Sequence, residues 1–149
     1  MDCCEAGFYE VLNKIEQDGL TPVNKQLLSV LLPQKWLVRV YEVLRNDAIQ
    51  LTIASGSNRC MWTVTTKKGT YYIFIEPGNK YFSCLSFGSD VLKSGKLPFC
   101  KHIMACLICH CLWKRGTTDS FSVTEMPDAE FSRFFANIVT TSNMGASRR

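Results

Sequence analysis

Long apolar runs are missing from this 149-residue chain, and so is any strong excess of one charge. No stretch reaches the roughly 20 consecutive apolar residues of a membrane-spanning helix, which excludes that element. The opening segment, MDCCEAGFYEVLNKIEQDG, places acidic residues early and has no basic stretch leading into an apolar core. It does not read as a secretory signal, and the expectation is an intracellular chain. Lys and Arg number 17 against 13 Asp and Glu, a formal net charge of +4. The cations fall in scattered pairs, Lys67-Lys68, Lys93 with Lys96, and Lys114-Arg115. That balance permits contact with a phosphate backbone without demanding it, and a solvated surface explains it equally well. A glycine-rich phosphate loop is absent: SGSN at 55–58 stands between expected strands, with no following helix and no P-loop lysine. Internal repeats, low-complexity blocks and linkers are absent too, so a single domain over 1–149 is expected.

Cysteine, by contrast, is plentiful, with eight in the chain. In a reducing compartment these point to metal ligands or packed small hydrophobes before disulfides.

The hydrophobic period predicts helices first. Phe8, Val11, Leu12 and Ile15 recur at helical spacing, and Gly19 offers a stop. Thr21-Pro22 supplies an N-cap and first-turn proline for a second helix carrying Leu27, Leu28, Leu31 and Leu32, which Pro33 breaks. QKWLVRVYEVLRND forms a third, with Trp36, Val40, Val43 and Leu44 on one side. The period then changes to two: IQLTIAS, CMWTVTT and TYYIFIE are β-branched and aromatic runs separated by SGSN and KKG, with YFSC as a short fourth strand. MPDAEFSRFFANIV is a last amphipathic helix, and 141–149 reads as a disordered tail. The fold class is therefore α+β: N-terminal helices, an antiparallel meander, a Cys/His segment leading into a helix, and a C-terminal amphipathic helix.

Residues 81 to 111, YFSCLSFGSDVLKSGKLPFCKHIMACLICHC, hold five cysteines and both histidines. Zinc takes four ligands in a tetrahedron, and Cys-x-His works because one local turn presents two donors to one point. Cys100-Lys101-His102 has that form and falls at a helix start, after Pro98 and before IMACLI. Cys84 closes a strand that could face it. Strand alternation would put a further ligand at position 82, where the chain has Phe82.

This frame resembles the SWIM zinc finger: Cys-x-Cys, a variable spacer, then Cys-x-His leading into an apolar helix. Upstream LLSVLL, the pair IQLTIASGSNRCMWTV, the spacer FGSDVLKSGKLPFCKH and downstream FSVTEMPDAEF resemble in order and spacing the small SWIM proteins of the Shu complex, over about residues 27 to 140. The SWIM-like region itself spans 49–115. The resemblance implies Cys84, Cys100 and His102 as the second, third and fourth zinc ligands, with Phe82 in place of the first. Three accounts of that replacement stay open. Another cysteine substitutes, either Cys106, one helical turn after His102, or Cys60 on a neighbouring strand. Water completes a three-ligand site. Or the metal is lost and Phe82 packs apolarly, with the cysteines reduced to core thiols.

The resemblance further implies a non-enzymatic, nuclear subunit. Such proteins pair with a RecA-like recombinase paralog and support recombinase filament assembly on single-stranded DNA in homologous recombination and meiosis. A direct DNA-binding SWIM module and a substrate-recruiting adaptor in ubiquitin transfer are the alternatives. Lys93, Lys96 and Lys101 flank the CKH turn and are the candidate phosphate contacts; Phe131, Phe134 and Phe135 either close the core or offer a partner surface. Cys106, Cys109 and Leu112 read as a core face, with His110 and Cys111 to the side. Cys100 and His102, two residues apart, splay from each other and have no third residue to orient the imidazole, so nucleophilic catalysis is not expected.

Overall fold

In the computed structural model, which describes residues 3–75, 82–85 and 100–147 with side chains over 7–74 and 100–140, the first third of the chain is helical. Helix α1 (Cys3–Asp18) stops at Gly19, whose φ of +90° an L side chain would resist. The Thr21 hydroxyl accepts from the Asn24 N–H at 3.1 Å and starts α2 (Pro22–Leu31) with proline in its first turn. Asn24 is buried, and its Nδ2 donates to the Gly19 and Lys14 carbonyls at 2.8 and 3.3 Å. That stitches the head of α2 to the orphan carbonyls at the tail of α1. After Pro33 comes α3 (Gln34–Asn46), which buries Leu37, Val40 and Val43.

Four strands follow as an antiparallel meander: β1 (Ala48–Ala54), β2 (Cys60–Thr66), β3 (Gly69–Ile75) and β4 (Phe82–Leu85). Their register aligns Leu51, Trp62, Ile73 and Cys84 in one row across the sheet. Helix α4 (Lys101–Arg115) is capped by Gly116 in the left-handed conformation, φ +92°. Strand β5 (Ser122–Met126) and helix α5 (Asp128–Ser147) complete the described chain, so that α5 runs into the stretch expected as a tail.

Alternation along the strands decides the layering. Ile49, Leu51, Ile53, Trp62, Val64 and Ile73 face a large core shared with α1, α2, α3 and α4. Ala54, Met61, Tyr72 and Phe74 face the other way, where Phe131 and Ile138 of α5 cover them. The observed class is α+β, as the pattern implied, with two differences from expectation. First, the meander gains β5, which pairs parallel to β1 and gives the order β4-β3-β2-β1-β5. Second, α4 is buried nearly all round. Cys111, expected to the side, is only 8% exposed, because α1 and α3 pack on α4 from one direction and the sheet from the other. Among the described residues no helix is long and apolar enough to cross a membrane.

Candidate functional site

The site is built at the head of α4. Cys100 is its N-cap, extended at φ −82° and ψ 170°, and its carbonyl accepts the Met104 N–H at 3.1 Å. Cys100 and His102 are each 6% exposed, and Cys106, a turn further on, is fully buried. The His102 imidazole stacks on the Tyr71 ring of β3, with centroids 3.9 Å apart and planes at 17°. Beyond β3 lies β4, whose backbone sets Cys84 opposite Ile73 and Phe82 opposite Ile75, and α4 packs against both strands. The fold thus sets Cys100 and His102 at the head of a helix that packs on the strand carrying Cys84.

As a donor set, two buried groups of Cys-x-His spacing beside a strand-borne cysteine are of the type a structural zinc site uses. Burial drives the Cys106 thiol well above its ordinary range, and its neighbours Cys109 and Cys100 push it further. Without a cation beside it, Cys106 stays a neutral core group. Among the described residues no three Cys, His, Asp or Glu side chains form a metal-holding group, so Cys100, His102 and Cys106 do not make one by themselves. Cys60 lies elsewhere. Its thiol reaches the Asn58 carbonyl at 3.5 Å and feels the charge of Lys114. Lys114 is about 18 Å along the helix from His102 at 1.5 Å per residue, so Cys60 is no candidate for the fourth position.

The remaining expected residues divide. Phe131 is 4% exposed and closes the second core, whereas Phe134 and Phe135 are 38% and 39% exposed. Phe135 meets Phe74 edge-on, centroids 4.7 Å apart. Lys101 sits half-buried in the first turn of α4. Lys93 and Lys96 lie outside the described residues.

Several features carried little signal in the sequence. His110 accepts a hydrogen bond at Nδ1 from the Trp62 indole at 3.2 Å, in a cluster with Trp113 and Phe121. Burial, with Lys114 adding to it, lowers the pKa of His110 to about 4, so the ring is neutral and structural. A cleft of about 890 Å³ opens beside His102 and Tyr71, walled by the end of α3 and the β2–β3 turn. The pair Lys67-Lys68 was visible in the sequence, but nothing local joins it to Arg39 across that cleft.

No protein-family model, curated protein or solved structure matches this chain.

Proposed function

We propose that this chain is a non-enzymatic binding subunit of SWIM type, which pairs with a RecA-like recombinase paralog in the nucleus and supports filament assembly on single-stranded DNA. The observation that supports it best is the burial of Cys100 and His102 at the head of α4, beside the strand that carries Cys84. An apolar helix starting at a Cys-x-His and packed on an antiparallel meander is the arrangement the SWIM-like pattern implies. Zinc, if held, would be held by Cys84, Cys100 and His102, and would supply a structural clasp between the head of α4 and the sheet edge. The paired partner is the role assigned to the exposed Phe134 and Phe135, since aromatic anchors are enriched in interface centres.

The test is co-purification with candidate RecA-like paralogs from cells expressing both. The expected result is a stoichiometric pair whose formation Phe134→Ala with Phe135→Ala abolishes while the chain stays folded, its melting transition lowered only by the lost Phe135–Phe74 contact. Failure to pair with any such paralog overturns the reading. Zinc per chain, measured on protein purified without added metal, tests the clasp. Near one zinc in the wild type, lost in His102→Ala together with much of the fold, supports it. Retention of zinc in Cys106→Ala excludes Cys106 as the fourth ligand. Zinc that appears only in Phe82→Cys establishes that the metal has been lost.

A further inference from the structure

The cleft beside α4 joins residues far apart in sequence. Lys67 and Lys68 are exposed on the β2–β3 turn, and that turn is fixed because the Thr66 hydroxyl accepts the Lys68 N–H at 3.1 Å and donates to the Gly69 carbonyl at 3.2 Å. Arg39 stands on the α3 wall, and Lys101 is at the first turn of α4, where free helix N–H groups add positive potential. Four cations thus line the cleft against the two carboxylates Glu42 and Asp47, and among the described residues none of the four is engaged in an ion pair. His102 also lines the cleft and is more than nine-tenths buried, its ring stacked on that of Tyr71.

We propose that this cleft binds single-stranded nucleic acid, its backbone phosphates crossing between the lysine pair and Arg39. This deepens the reading above and rests on it only for the choice of DNA as the probe. The chemistry favours a nucleic acid strand over an acidic peptide because the cleft mixes cations with aromatic and amide groups. Tyr71 and the exposed Asn46 amide lie in the same walls, and single strands are held by charge along the backbone together with stacking and hydrogen bonding to unstacked bases. A duplex would be read by an element inserted into its groove, whereas here the protein supplies the concave surface.

The experiment is fluorescence anisotropy of a labelled oligothymidylate with the full chain at low and physiological salt. Binding is expected to weaken with a log–log salt slope of roughly −2 to −3, as three or four phosphate contacts to a single strand require. Lys67→Glu with Lys68→Glu, and separately Arg39→Glu, should each weaken it on the order of tenfold, at unchanged melting temperature because these side chains are exposed. Lys14→Glu with Arg133→Glu, the same charge change at exposed positions that do not line the cleft, should leave it unchanged. The assignment is overturned if no binding occurs at low salt, if the remote variant loses as much as the cleft variants, or if polyglutamate of equal charge displaces the oligonucleotide as well as unlabelled oligothymidylate does. Pairing with the recombinase paralog is read separately by co-purification of the same variants, so failure of one reading leaves the other standing.

Discussion

His110 shows how one side chain can set the pH range of the whole fold. Its neutral ring accepts from the Trp62 indole, and its pKa lies at about 4 against an ordinary 6.5. The unfolded chain therefore takes up the proton first as pH falls. The stabilisation is complete above about 6.5 and is lost as pH drops toward about 4, with a slope approaching about 1.4 kcal/mol per pH unit. Urea midpoints followed by tryptophan fluorescence from neutral to acid pH should show that decline. His110→Gln, which can still accept from the indole, should flatten it. The sequence showed His110 only as a residue beside a core face. Its partner Trp62 lies 48 residues away, so no local pattern could have joined them. Cys100 and His102 were legible because their chemistry depends on a spacing within one turn.

Among the elements, α5 owes its position to one carboxylate. Asp128 Oδ1 accepts from the Gly56 and Ser57 N–H groups at 3.1 and 3.0 Å and from the Ser57 hydroxyl at 3.3 Å, fastening the helix start to the β1–β2 turn. Asp128→Ala should cost about 1–2 kcal/mol in chemical denaturation, and Asp128→Asn less. A Cβ on Gly56 would stand 2.6 Å from Asp128 Oδ2, so Gly56→Ala should cost comparably by displacing that carboxylate. Further along, Phe131→Ala should cost about 3–4 kcal/mol as a buried truncation, whereas Phe134→Ala should move the denaturation midpoint little. The sequence reading grouped all three phenylalanines; only the placement of α5 over Met61 and Phe74 separates them. Strand β5 escaped the reading for a different reason. Four of its five residues are exposed, so burial imposes no alternation on it, and it is held by pairing with β1 and by the Gln50 amide donating to Thr124 Oγ1 at 2.7 Å. The other strands and all five described helices carried their own period and turn chemistry, which is why their ends fall close to expectation, except that α5 runs on to Ser147 through the stretch read as a tail.

At the scale of the whole molecule, the two cores differ greatly in extent. The larger one surrounds α4 with three helices and the sheet, while the smaller joins four buried residues, Ala54, Met61, Phe131 and Ile138. Native-state hydrogen exchange should therefore find two levels of protection. Amides of α4, β1 and β2 should open only with global unfolding, and those of α5 at a lower free energy. Equal protection in α5 and α4 would contradict that order. The same geometry bears on the candidate site, because the head of α4 and the cleft belong to the strongly held part. Opening α5 should leave oligonucleotide binding intact.

The parallel pairing of β1 with β5 also has a meaning during synthesis. Gln50 of β1 pairs with Ser122, so one edge of β1 waits for its neighbour while 72 further residues are made. At typical translation speeds that wait lasts on the order of ten seconds or less. Throughout it the nascent chain presents the apolar, β-branched run of β1 with an unpaired row of backbone donors and acceptors, the kind of edge on which strands from other chains add. The exposure of that edge of β1 is thus timed by the ribosome, and β5, the strand least visible in the sequence, ends it.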